Sequence, residues 1–200
     1  MRRSVFAALA ACFLAVSAQP ARAHPHVWID NIATFTFKQG KIASIRLNWT
    51  FDEIFSASII AQFDKNKDRK FDTAELEALE KGAFSNLKSY GYFTYVTVDD
   101  KPVPTERVTG FTARIEKDHL VYEFTVPLDR PVDPISQRFT LSVYDLEYFV
   151  ELDMGGRNGA RYDGDAGVVC AATVAENPNK RIYSGQVIPL EMRLKCEKQP

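Results

Sequence analysis

The sequence predicts a mainly β (α+β) domain: an antiparallel β-sandwich, immunoglobulin-like in kind, carrying an inserted EF-hand-like helix–loop–helix. Three observations carry this. Short β-branched and aromatic runs separated by turn clusters recur along most of the chain, apolar residues switch to helical spacing only at about 51–90, and the two helical stretches there flank one polar loop. The 200 residues, 46% hydrophobic and 26% charged, exclude disorder, and a net charge of −1 leaves no basic footprint for nucleic acid.

Residues 1–23 stand apart. Arg2 and Arg3 open the chain, Val5–Val16 is apolar, and Ala21-Arg22-Ala23 offers a small-x-small cleavage site, the anatomy of a secretory signal peptide. No stretch supplies the roughly 20 apolar residues of a transmembrane helix, so the expected product is a periplasmic protein with no direct membrane insertion. Losing Arg2, Arg3 and Arg22 with no acid moves the net charge from −1 to −4. Leu9-Ala10-Ala11-Cys12 resembles a lipoprotein box, but Phe13–Val16 continues the apolar run past Cys12, which favours ordinary cleavage. Residues 24–200 then make a single β-rich domain interrupted by the insertion.

Val27–Phe37 and Ile42–Trp49 alternate around Lys38-Gln39-Gly40-Lys41, which reads as a β-hairpin with Ile45, Leu47 and Trp49 on one face. Phe51, Ile54, Phe55, Ile59 and Phe63 then recur at helical spacing, as do Leu76, Leu79, Ala83 and Leu87. Strands are predicted at Tyr92–Val98, Phe111–Ile115, Leu120–Val126, Phe139–Tyr144, Tyr148–Leu152, Val168–Val174 and Val187–Leu194. Asp99-Asp100-Lys101-Pro102, Glu116-Lys117-Asp118-His119 and Asp129-Arg130-Pro131 punctuate them, and the glycine-rich stretch Gly155–Gly167 reads as an exposed loop.

Between the helices, residues Asp64 to Glu75 place oxygen-bearing side chains in the EF-hand register. Calcium takes six to eight oxygens, and Asp64, Asn66 and Asp68 at alternate positions can converge on it, with the Lys70 carbonyl, Asp72 and Glu75 completing the shell. Position six of such a loop turns with positive φ and favours glycine, whereas this chain has Arg69, and Lys65, Lys67 and Lys70 add further positive charge. The competing reading is that Asp72-Thr73-Ala74-Glu75 is a helix capping box and the residues before it a plain connection.

Cleavage after Ala23 makes His24 the first residue, where its α-amine and imidazole can chelate one metal ion. In an extended segment His26, Trp28 and Asp30 share its face. Such nitrogen donors suit Zn, Ni, Co or Cu. Pro25 has no backbone N–H to lose, so the square-planar mode that uses deprotonated backbone nitrogens is blocked, and a brace through His24 with His26 remains. Solvated histidines at a frayed end are the alternative. His119 reads as a turn residue. Thr50-Phe51-Asp52-Glu53 reads as a capping box that opens the first helix, in preference to Asp52 and Glu53 as paired catalytic carboxylates. Tyr144, Asp145, Glu147 and Glu151 are weaker candidates for metal oxygens. With Cys12 removed, Cys170 and Cys196 remain, an even pair that reads as a disulfide in an oxidising compartment, against two buried thiols. No phosphate loop or serine–histidine–aspartate order is present.

His24-Pro25-His26-Val27-Trp28-Ile29-Asp30, Trp49-Thr50-Phe51-Asp52-Glu53, the EF-hand-like loop, Tyr92-Phe93-Thr94-Tyr95-Val96 and Leu141-Ser142-Val143-Tyr144-Asp145 together resemble a bacterial periplasmic family of unknown function. That family is known as the periplasmic component of an uncharacterised ABC-type transport system. The resemblance implies an association with nickel/cobalt or zinc transport and a membrane metal permease or ABC-type transporter as partner. It transfers no catalytic residue, and its loop usually has Gly where Arg69 stands. A non-enzymatic metal-binding accessory protein is therefore the leading expectation. A copper-dependent oxidase or monooxygenase using an N-terminal histidine brace and a calcium-braced interaction module are the alternatives.

Overall fold

A computed structural model describes residues 25–155, 159–164 and 167–199. The expected signal segment, Cys12 and His24 lie outside the described residues. The hairpin forms as expected, β1 (Val27–Lys38) and β2 (Lys41–Phe51), and leads into α1 (Glu53–Phe63) and α2 (Thr73–Gly82). A 3-10 segment, Phe84–Phe93, returns the chain to β3 (Thr94–Val98), β4 (Lys101–Val103), β5 (Thr109–Glu116), β6 (His119–Val132), β7 (Phe139–Val143), β8 (Val150–Asp153), β9 (Ala160–Gly164), β10 (Val168–Glu176) and β11 (Leu190–Lys198).

Two sheets result. One runs β5-β6-β2-β1-β8 with β9 also on β1, and the other runs β10-β11-β7-β3-β4. Their inner faces meet through residues that alternate along each strand: Phe35, Ile45, Leu47, Trp49, Phe124, Leu141 and Met192 are all fully buried. Phe35 of the first sheet meets Phe139 of the second edge-to-face at 5.7 Å. The mainly β sandwich with inserted helices is thus present. Most strand pairs are antiparallel as expected, and one sheet is mixed, because β8 and β9 both pair parallel to β1.

β9 was unexpected. It lies inside the glycine-rich stretch read as an exposed loop, and its signal is not local. β1 is longer than β8, which covers only Val27–Asp30, so the edge from Ala33 to Phe37 is open until β9 pairs with it. Tyr162 then packs on Phe35 and Phe37 at 6.1 and 6.4 Å between ring centroids. Gly159 permits the approach, since a Cβ there would stand 1.6 Å from the Met154 carbonyl oxygen. β4 carries no sequence signal because it is three residues long and contains Pro102, which only a sheet edge tolerates. β3 starts later than predicted because Gly91, Tyr92 and Phe93 have φ of 58, 50 and 52°, a left-handed turn that buries both aromatic rings. β11 starts at Leu190, and Val187 makes only an isolated bridge with Ile182.

The helical stripe also shifts. Thr50 and Phe51 end β2 instead of opening a helix, so the expected Thr50–Glu53 capping box is corrected: Asp52 is the N-cap, its carboxylate accepting from Phe55 N–H at 2.9 Å. That phase buries Ser56, Ile59 and Phe63 and leaves Ile54 83% exposed, so Ile54 does not belong to the core face. No helix among the described residues is long and apolar enough to cross a membrane.

Candidate functional site

The loop between α1 and α2 is built from its own side chains. Asp64 closes α1 and is 6% exposed; its Oδ2 accepts from Arg69 N–H at 3.1 Å. Asn66 Oδ1 accepts from Asp68 N–H at 2.8 Å and Asp68 Oδ1 from Lys70 N–H at 2.9 Å, two successive Asx turns that wind the backbone around the loop centre. Asp72 and Glu75 form the capping box of α2, with Asp72 Oδ1 accepting from Glu75 N–H and Glu75 Oε2 from Asp72 N–H. The capping box of the competing reading is therefore present, at positions nine and twelve of the loop, and the residues before it are wound by the two Asx turns.

Arg69 takes the left-handed conformation expected of position six, with φ of 64°. A non-glycine residue there costs about 1–2 kcal/mol. Its guanidinium turns away from the loop to pair with Asp118, in the turn between β5 and β6. The Arg69 charge is thereby held on a carboxylate outside the loop, and the loop is tied to the sheet. Two further ties cross the same junction. Ser56 Oγ donates to the Phe51 carbonyl and accepts from Leu120 N–H at 2.9 Å, while His119 Nδ1 lies 2.7 Å from that same carbonyl oxygen. A carbonyl only accepts, so His119 Nδ1 carries a proton. His119 is thus more than a turn residue: it fastens the β5–β6 hairpin to the start of the insertion. None of these ties had a sequence signal beyond the isolated polar residue on each side.

One atom has no place in this network. Asp64 Oδ1 is buried and has no hydrogen-bond partner among the described residues. A buried carboxylate oxygen left unpaired is costly unless a cation or donor reaches it. Glu75 Oε1 accepts from Lys65 and Asn66 N–H at 2.7 and 3.2 Å, so its carboxylate is held over the loop mouth. Among the described residues no three His, Cys, Asp or Glu side chains converge into a ready-made metal cluster, so a cation would draw Glu75 off those amides. The donor set, carboxylate and amide oxygens with backbone carbonyls, fits calcium.

The N-terminal candidates are only partly within view. His26 is exposed, and its ring lies 4.8 Å from that of Phe149. Trp28 and Asp30 follow it on the outward face of β1, as period two requires, and pair with Glu151 and Asp153 of β8. His26 thus starts a face bearing three carboxylates, those of Asp30, Glu151 and Asp153. Asp52 is spent twice, on the α1 cap and on Trp28 N–H at 2.9 Å, and Glu53 is exposed, so these two form no catalytic pair. Asp145 is also spent: it is 4% exposed and accepts from Glu147, Phe149 and Val150 N–H. Tyr144 stacks on Tyr95 at 4.1 Å, and burial pushes both phenols up to about 12, which keeps them neutral and poor as anionic ligands. Cys170 and Cys196 are joined as a disulfide across β10 and β11, as the even pair predicted.

The fold and its loop define a β-sandwich domain with an EF-hand-like insertion latched to one hairpin. Residues 9–192 match the model of a family described as protein of unknown function (DUF1007), and the chain belongs to that family. It is similar to an uncharacterized 15.5 kDa protein in the trpE 3' region of Spirochaeta aurantia, 30% identical over 131 residues, which are 66% of this chain and 93% of that protein. It is also similar to an uncharacterized protein of Haemophilus influenzae, 25% identical over 142 residues, 70% of this chain and 67% of that one. No solved structure matches it significantly.

Proposed function

We propose that this protein is a non-catalytic metal-binding accessory that works in the periplasm, braced by a calcium ion in the Asp64–Glu75 loop. The observation that carries the calcium reading is the buried, unpartnered Asp64 Oδ1 at the centre of a loop whose other oxygens are oriented by Asx turns. Extracellular modules of this kind bind calcium with Kd of about 0.1–1 mM. At about 10 mM calcium, mass action then stabilises the fold by roughly 1.4–2.7 kcal/mol, a rise in Tm of about 3–10 °C for a chain of this size. Asp64→Asn keeps an acceptor for Arg69 N–H and removes the charge. It is expected to abolish the calcium response while leaving stability in chelator unchanged or higher, because it relieves an unpaired buried carboxylate. Thermal melts of both proteins with calcium and with chelator check this; a parent that ignores calcium refutes it. Arg69→Gly relieves the left-handed strain but loses the tie to Asp118, worth about 0.2–1 kcal/mol when exposed, so its gain in calcium affinity is expected to stay within about tenfold.

The second part of the reading is service to a Ni, Co or Zn transport system, with a membrane permease or ABC-type transporter as partner. It is supported by the outward face that begins at His26 and carries Asp30, Glu151 and Asp153. In the processed protein the α-amine and imidazole of His24 chelate the metal and His26 adds a donor. One extra Ala before His24 converts the amine to an amide while sparing both imidazoles. It is expected to weaken Zn or Ni binding at least as much as His26→Ala, with the calcium response of the loop unchanged. Calorimetric titration of the processed, Ala-extended and His26→Ala proteins decides this, and equal affinity in the first two removes the brace. Copper binding with peroxide-driven turnover would instead place the same residues in an oxidase or monooxygenase.

A further inference from the structure

Among the described residues, three of the four sheet edges carry devices that stop an edge from recruiting another strand. β4 is three residues with Lys101 and Pro102. β5 carries Arg114 and Glu116, a register irregularity between Thr109 and Thr112, and Gly110 at φ of 65°. β8 and β9 are short pieces bearing Glu151, Asp153, Arg161 and Asp163. The fourth edge, β10, has none of these. It runs nine residues, Val-Val-Cys-Ala-Ala-Thr-Val-Ala-Glu, in unbroken register with β11, with no proline and no charge before Glu176. Its outward residues are small or apolar, and Val169 is 58% exposed.

The disulfide shows which backbone groups this edge offers. Cys170 and Cys196 are directly opposed with Cα atoms 4.1 Å apart, which is the spacing of a non-hydrogen-bonded antiparallel pair (about 4.5 Å) and not of a hydrogen-bonded one (about 5.5 Å). The N–H and C=O of Cys170 therefore point away from β11, and by the two-residue period so do those of Val168, Ala172, Val174 and Glu176. The covalent link holds this row against the sheet, so its ordering cost is already met before a partner arrives.

We propose that β10 is the docking edge for a second copy of the chain, pairing antiparallel about a two-fold axis at Ala172 to join two five-stranded sheets into one. The strand is self-complementary in three respects. A register centred on Ala172 pairs all nine residues, and each hydrogen-bonded pair draws both members from the outward-pointing set. No like charges meet along it. At each end Glu176 of the partner subunit falls beside Val168, whose other neighbour is Lys198, so a carboxylate and an ammonium share one face a single strand apart. The proposal stands independently of any bound metal.

Sedimentation equilibrium of the mature, oxidised protein over about 1–100 μM tests it. A dimer is expected. Ala172→Pro removes one outward N–H and leaves the ladder to β11 intact, and should weaken the dimer at least tenfold with the circular dichroism spectrum preserved. Thr173→Lys places like charges on both sides of the axis and should weaken the dimer more at low salt than at high salt; it carries the test alone if the proline variant does not fold. A parent that stays monomeric at 100 μM, or a dimer that neither substitution weakens, overturns the proposal.

Discussion

Trp49→Ala is expected to lower unfolding free energy by about 3–5 kcal/mol, the range for deleting a fully buried aromatic side chain. Trp49 is 0% exposed and packs edge-to-face on Phe124 at 4.8 Å, with Phe51 and Phe93 at 6.4 and 6.3 Å. Its Nε1–H donates to Asn31 Oδ1 at 3.0 Å, and among the described residues that amide has no other partner, since Asn31 Nδ2 is buried and unpaired. Loss of the indole therefore removes packing and strands a buried polar group at once. Trp49→Phe should cost less, about 1–3 kcal/mol, because it keeps a ring and strands only the amide. Adding Asn31→Val to Trp49→Phe should recover part of that loss. Urea unfolding of the parent, both single variants and the double variant gives the coupling directly; additive effects would show that the hydrogen bond contributes nothing.

Removing the Cys170–Cys196 disulfide should cost about 3.5 kcal/mol, the chain-entropy value for a closed loop of 26 residues. Both cysteines should be inaccessible to thiol reagents under denaturing, non-reducing conditions. Comparing urea midpoints of the parent and the Cys170→Ala/Cys196→Ala variant checks the magnitude. A loss below about 1 kcal/mol would mean that β10 and β11 remain associated in the unfolded ensemble, where the link has then little freedom to remove. The two changes act on different states, the tryptophan chiefly on the folded core and the disulfide chiefly on the unfolded chain, so their effects should add.

The local pattern of the sequence determined the β1–β2 hairpin, the core face at Ile45, Leu47 and Trp49, the oxygen register of the loop and the even cysteine pair. Each of these depends on residues close in sequence or on a count, so periodicity and spacing express them completely. The capping box at Asp72 and Glu75 was legible for the same reason, since its two hydrogen bonds join residues three apart. Only the tertiary structure decided that Gly155–Gly167 contains a strand, because β9 exists to cover the part of β1 that β8 leaves open. It alone decided that Arg69 reaches Asp118, that His119 and Ser56 share the Phe51 carbonyl, and that Asp145 is consumed by a turn. It also decided that, among the described residues, Asp64 Oδ1 is left buried without a partner while β10 is left as an uncovered edge. Burial and edge position are properties of the assembled sheets: a residue's own neighbours in sequence set which way its side chain points, and only distant segments set whether anything waits there.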